Sequence, residues 1–412
     1  MSDPSEAWRL RQVTHPVWSR VLTGVHADAL DCLQATFAVL ADHAHGRGGH
    51  LALGAHWRFA PRVLDDGTAT VAVSLDERAH EAREDLGLRV DASWSRLAGS
   101  QVRRLAHDGQ PLYVSADAFD LPWCPYAGRA HLEHSFLVVP VDGHDEQVDV
   151  VDAYHNDTPW GAARPGVWRP APADFDSALT SGARVLAVEP GPRRCVDPAD
   201  VMTENARHLV DALPRMERYV ARVRAALGTV VGVERLVLDV WLLSRQRMLH
   251  ASWVDSLGRA VTGARGLREH VDRWRDLAAL TYVALRRAER GRPAQTSLAD
   301  ELGHLLAEDV ALAAQLATEV TGAPRPTLRE VRGTVLSALA DVAGTREHTV
   351  VEAQSLRDLP GLTSFRLADV LDRVEADLGV ELTGDTLAAT NLWDLDALCG
   401  MFARSVPGGV PR

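Results

Sequence analysis

The chain has 412 residues, 46% hydrophobic and 24% charged, which suffices for two or three domains with full cores. All 44 basic residues are Arg; there is no Lys and no Ile, and Asn occurs three times. The missing lysine excludes Schiff-base and pyridoxal-phosphate chemistry, and also the lysines of P-loop and kinase phosphoryl transfer. A net charge of −12 with no basic run argues against a nucleic-acid partner. No stretch approaches a membrane span and the N-terminus has no apolar signal region, so a cytoplasmic protein without a membrane partner is expected. The arginine bias itself is what a GC-rich genome produces.

Taken in chain order, LDCLQATFAVLADHA (30–44) places Leu33, Phe37, Leu40 and Ala41 on one helical face. Short β-rich runs follow: Ala69–Leu75, Gln110–Ser115, Phe136–Val141, Val148–Asp152 and Arg184–Val188. Asp142-Gly143 is a turn signal joining the third and fourth runs as a hairpin. Residues 1–196 therefore read as an α+β domain. Residues 197–321 read as four to six helices packed on it, starting at Asp197-Pro198, an N-cap followed by proline at the first helical position. The Pro/Gly linker GAPRPT (322–327) marks a boundary. Residues 328–405 form a third unit, compact and helical, with 13 acidic against 7 basic residues.

The four cysteines (32, 124, 195, 399) lack CxxC spacing, so neither a disulfide framework nor a thiolate zinc site is expected. Cys124 and Cys399 read as packed residues and Cys195 as loop. Cys32 differs because it follows Asp31 and opens the first helix, where the dipole and the free N–H groups favour a thiolate and an oxyanion. A catalytic thiol needs a base and an orienting group. His134 starts the strand HSFLVVPVDG and Asp152 ends VDVVD, and the hairpin brings these two ends together. His43, His45, His50 and His56 cluster around Gly46–Gly49, but no HExxH or matched carboxylate spacing accompanies them, so no metal site is expected. The segment Trp123-Cys124-Pro125-Tyr126 reads as a pocket rim or plain core.

In the C-terminal unit, Leu367, Val370, Leu371, Val374 and Leu378 share one helical face. That helix should start at Thr363 or Ser364 and stop at Gly379. A helix over Leu328–Ala343 precedes it, and Leu387 with NLWDLDALCGMF (391–402) closes the unit. On position alone, Ser364 is either an N-cap or an exposed attachment serine. The run Leu359-Pro360-Gly361-Leu362-Thr363-Ser364-Phe365, followed by Gly379-Val380-Glu381-Leu382, resembles an acyl carrier protein. The resemblance covers nearly all of 328–405. It implies a four-helix bundle whose Ser364 receives 4′-phosphopantetheine from a phosphopantetheinyl transferase. The sequence departs from the family at Thr363, where most carriers have Asp.

The N-terminal unit carries Asp31-Cys32-Leu33-Gln34, the run containing Gly54, Tyr113-Val114, Leu121-Pro122-Trp123, His134 and Val151-Asp152-Ala153-Tyr154. In that order these residues resemble the N-terminal domain of the BtrH-like acyltransferases of butirosin biosynthesis, over about residues 25–190. The resemblance implies a papain/C39-like cysteine fold. It also implies that Cys32 accepts an acyl group from a carrier thioester and passes it to an amine, with His134 as base and Asp152 as orienter. Where papain-like enzymes have the oxyanion glutamine this chain has His26, so His26 or the backbone must donate.

The leading expectation is thus a carrier-dependent acyltransferase of natural-product biosynthesis. Its partners would be an acyl-thioester donor on its own or a separate carrier protein, and a small-molecule amine acceptor. The same three residues could instead close a ring, by Dieckmann-type carbon attack or by an internal amine, or hydrolyse the chain as a thioesterase. A non-catalytic docking protein is a further alternative.

Overall fold

A computed structural model describes residues 10–107, 109–141, 143, 146–193, 196–257, 264–322, 328–380, 382, 386–387 and 391–405. The chain is mixed α+β, with an antiparallel sheet and a helical C-terminal region. It divides into two compact units. The first comprises Met1–Cys195, Leu209–Trp253 and Arg268–Glu308; the second comprises Val196–His208, Val254–Leu267 and Asp309–Arg412.

The strands of the first unit are β1 (Arg11–Gln12), β2 (Arg62–Val63), β3 (Ala69–Thr70), β4 (Leu88–Leu97), β5 (Leu112–Asp117), β6 (Glu133–Pro140), β7 (Val148–Asp152), β8 (Asn156–Thr158), β9 (Gly161–Ala163), β10 (Gly166–Arg169) and β11 (Ala183–Pro190). Seven make one sheet in the order β1-β10-β7-β6-β5-β11-β4, while β2-β3 and β8-β9 are separate two-stranded ribbons. Every pairing in the large sheet is antiparallel. Successive side chains alternate between its faces, and both faces are covered. Tyr113, Leu137, Val139, Val151 and Leu186 pack with Phe37 and its neighbours on the Cys32–His45 helix. Leu112, Val114, Phe136, Val138 and Val150 pack on the other side with Val102, Trp123 and Phe175. This explains why FLVVP reads as a continuous apolar run rather than an alternating one, while Asp149, which interrupts VDVV, is buried and paired with Arg169.

Several boundaries differ from the sequence expectation. The run Ala69–Leu75 is strand only at Ala69–Thr70. Asp239 accepts from Thr70 Oγ1 and the Val71 N–H, and Ser74 with Glu77 forms a capping box that makes Leu75 the start of a helix over Leu75–Leu86. The expected strands Gln110–Ser115, Phe136–Val141 and Arg184–Val188 run over 112–117, 133–140 and 183–190. β4 was not anticipated, although Leu88, Val90, Ala92 and Trp94 alternate along it. Of the expected hairpin turn, Gly143 has φ 75°, while Asp142 lies outside the described residues, as do Cys195 and linker residues 323–327.

Four long helices occupy the helical zone: Pro198–Ala226, Val230–Ser256, Ala264–Ala288 and Ser297–Gly322. Asp197 accepts from the Ala199 N–H at the start of the first. Among the described residues, no helix is long and apolar enough to cross a membrane.

In the second unit, helices Leu328–Ala343, Glu347–Glu352, Ser364–Leu378 and Leu395–Ser405 close around Val331, Val335, Leu339, Val350, Val370 and Phe402. The Ser364–Leu378 helix ends at Gly379, which adopts φ 64° and ψ 40°, the left-handed cap that favours glycine.

Candidate active site

Cys32 is the first residue of a 14-residue helix and is partly exposed. Asp31 caps that helix: its Oδ1 accepts from the Gln34 N–H at 2.8 Å and its Oδ2 from Arg78 at 2.5 Å. The Asp31 carbonyl takes the Ala35 N–H at 2.9 Å. The N–H groups of Cys32 and Leu33 therefore have no acceptor among the described residues, which leaves two donors beside the sulfur.

β6 fixes this helix end. Ser135 Oγ donates to the Cys32 carbonyl at 2.8 Å and lies 2.7 Å from Thr36 Oγ1. The Cys32 thiol points at the Glu133 carbonyl, 3.6 Å away. His134, between these two contacts in sequence, is 2% exposed. Its Nε2 lies 2.7 Å from Asp152 Oδ2, while Asp152 Oδ1 accepts from the Tyr154 N–H at 2.8 Å. The β6–β7 register, with Leu137 opposite Val151, makes His134 and Asp152 diagonal neighbours on one sheet face. Because Nε2 is taken by Asp152, Nδ1 is the ring nitrogen left for Cys32. Burial disfavours the imidazolium, but the Asp152 carboxylate and then Cys32 outweigh it, so His134 is held well above the usual imidazole range. The site thus joins a partly exposed sulfur, a buried ring that retains a proton, and a carboxylate with both oxygens engaged.

The other expected residues have different fates. His26 does not supply a donor to an oxyanion. Its ring Nδ1 lies 2.9 Å from His50 Nε2, which also accepts the His26 N–H at 3.1 Å. His50 Nδ1 lies 2.9 Å from both oxygens of Asp42. The tautomers that satisfy these bonds put protons on both Nδ1 atoms and leave a bare Nε2 on His26. Burial, and then His50, lower the pKa of His26, so the ring stays neutral and its free nitrogen can only accept. Two of the other clustered histidines are also engaged, His43 against the Trp18 ring and His56 near Asp85. Among the described residues no three His, Cys, Asp or Glu are grouped to hold a metal.

Cys124 is buried near His134, and burial pushes its thiol up to about 11. The same cause lifts Cys399 to about 11 in the C-terminal core. Trp123 and Tyr126 are buried with Cys124. The Tyr126 hydroxyl lies 3.1 Å from that of Tyr154, whose ring stands edge-on to His134. From Tyr126 the aromatic wall continues to Trp160, 47% exposed on the β8–β9 ribbon.

Arg245, on the Val230–Ser256 helix, was missed by sequence reasoning. A signal existed: Trp241 stands four residues earlier on the same helix, and the guanidinium lies 4.2 Å from its ring centroid.

In the second unit, Thr363 is the N-cap of the Ser364–Leu378 helix; its hydroxyl accepts from the Arg366 N–H at 3.3 Å. Ser364 is therefore not the cap. It is exposed at the first helical position, beside Phe365, which is 88% exposed.

Scanned against models of protein families, the chain matches none, and a search of curated proteins finds no match.

Proposed function

We propose that this chain is a cysteine-dependent acyltransferase with a papain-like catalytic unit and its own carrier-type unit. The observation that carries the reading is Cys32 at a helix N-terminus beside His134, whose other ring nitrogen lies 2.7 Å from Asp152. In the first step His134 Nδ1 holds the Cys32 proton and the sulfur attacks the carbonyl carbon of an acyl thioester. The carbonyl oxygen becomes negative against the N–H groups of Cys32 and Leu33. The carbon–sulfur bond to the donor breaks, the departing thiol takes the proton from His134, and an acyl-Cys32 remains. In the second step an acceptor amine attacks that carbonyl carbon. Its proton passes to His134 and on to the Cys32 sulfur as the amide leaves.

Ser364 suits attachment of 4′-phosphopantetheine by a phosphopantetheinyl transferase, since it is exposed and the cap is supplied by Thr363 instead. When bound, that group would supply a thiol on which an acyl chain is carried as a thioester. The free N–H groups at the start of the helix would face its phosphate.

The test uses acyl-N-acetylcysteamine thioesters as donors and intact-protein mass as readout. Wild type should gain one acyl mass on Cys32 and lose it when an amine is added, with the amide appearing in solution. Loss of the label to water or to a ring-closed product would reassign the reaction to a thioesterase or cyclase. A Cys32→Ala protein that labels and turns over like wild type would overturn the reading.

A further inference from the structure

The Val230–Ser256 helix buries Arg245. Nη1 donates to the carbonyls of Ala27 at 2.9 Å and Leu30 at 2.6 Å. Nη2 donates to the carbonyl of His155 at 2.5 Å. Ala27 and Leu30 belong to the segment that enters the Cys32 helix, and His155 follows Asp152 by three residues. One side chain therefore ties the backbone before the sulfur to the backbone after the carboxylate. The same helix reaches the second segment again through Trp241, whose Nε1 donates to Asn156 Oδ1 at 3.2 Å.

These three partners of the guanidinium are neutral carbonyls. The nearest capping carboxylate, Asp31, is already bonded to Arg78 and to the Gln34 N–H. A guanidinium keeps its charge in such a place. We propose that Arg245 is a positioning residue for the Cys32 site, one that clamps the two active-site segments in register and sets a positive charge at the backbone that enters the Cys32 helix. Burial works against that charge, while Tyr154, Asp31, Asp28 and Cys32 all lie near enough to favour it. A carbonyl clamp alone needs no cation, because an amide or a hydroxyl can donate as well. A buried cation near the sulfur assists most when the sulfur is an anion. This inference rests on the reading of Cys32 as the nucleophile.

The experiment is iodoacetamide alkylation of the full chain from pH 6 to pH 10, with Cys32 followed by peptide mass and glutathione as the free-thiol reference. Only the thiolate reacts, so the profile reports the charge around the sulfur independently of any acyl substrate. In Arg245→Met the pH 7 rate should fall about tenfold, the effect of one lost neighbouring charge. At pH 10 the two rates should agree within about twofold. Arg245→Gln keeps a donor for the carbonyls but carries no charge, and should show the same deficit at pH 7 and the same recovery at pH 10. Wild-type labelling by Arg245→Met at pH 7, or a deficit that persists at pH 10, would overturn the proposal. If Arg245→Met does not fold, a folded Arg245→Gln that labels like wild type at pH 7 overturns it instead. A wild-type Cys32 no faster than glutathione at pH 7 would mean that the nucleophile reading has failed, whatever Arg245 does.

Discussion

His134 Nε2 and Asp152 Oδ2 lie 2.7 Å apart because β6 and β7 pair with Leu137 opposite Val151. This register puts both side chains on one sheet face, and their pairing holds the His134 proton well above the ordinary imidazole value of 6.5 against the cost of burial. Asp152→Asn keeps an oxygen for the Tyr154 N–H but removes the charge. Acyl transfer should fall by about 10²-fold or more, and His134 should lose its proton at lower pH, checked by the NMR titration of its ring protons. The sign for stability follows. A raised histidine pKa stabilises the fold fully below 6.5 and loses that contribution as pH rises through the native value. The stability gap between wild type and Asp152→Asn, measured by urea unfolding, should therefore be largest in mild acid and shrink at alkaline pH.

Thiol labelling should be selective. Burial raises Cys124 and Cys399 to about 11, whereas Cys32 is partly exposed. Iodoacetamide at pH 7 should modify Cys32 well before those two, with peptide mass as readout. Equal labelling of Cys124 would mean that the site opens more readily than its packing implies.

At the start of the Ser364–Leu378 helix, the cap, Thr363, and the proposed attachment point, Ser364, are different residues. Thr363→Ala removes the bond to the Arg366 N–H and should cost about 1 kcal/mol in thermal or urea unfolding. Ser364→Ala should change stability by less than about 0.5 kcal/mol, because the residue is exposed. It should nevertheless abolish the phosphopantetheine mass increment on coexpression with a phosphopantetheinyl transferase. Thr363→Ala should still accept the group.

Gly54 lies against the Val230–Ser256 helix. A Cβ there would stand 2.5 Å from the Leu249 carbonyl oxygen, and the Gly54 carbonyl faces His250 Nδ1 at 2.7 Å. Gly54→Ala should destabilise the first unit by about 2 kcal/mol, seen as a lower urea midpoint with an unchanged slope.

How much of this was legible depended on the range of the interaction. The Cys32–His45 and Ser364–Leu378 helices could be read because their caps and apolar faces are local. VDVVD could be read as a strand because its apolar run is short and bounded. Ala69–Leu75 failed as a strand because a local capping box at Ser74 and a distant carboxylate, Asp239, both opposed it. Leu88–Leu97 was missed because its charged outward residues masked the alternation. His26 looked like a donor by its distance from Cys32 in sequence, and only the Asp42–His50 pair, brought against it by the fold, made it an acceptor.

By itself the sequence determined the chemistry on offer. With no lysine, no ammonium side chain is available as nucleophile or base, and arginine supplies the side-chain cations that stay charged at any ordinary pH. It also determined that a thiol opens a helix and that a serine sits at another helix start. The tertiary structure decided which residues meet. Strand register joined His134 to Asp152, Ser135 locked the Cys32 helix against β6, and Arg245, more than 200 positions away from Ala27 and Leu30, closed the site from a separate helix. Periodicity and caps report contacts within a few residues. Contacts across a sheet, or between a helix and a distant loop, depend on packing and register, which local pattern does not encode.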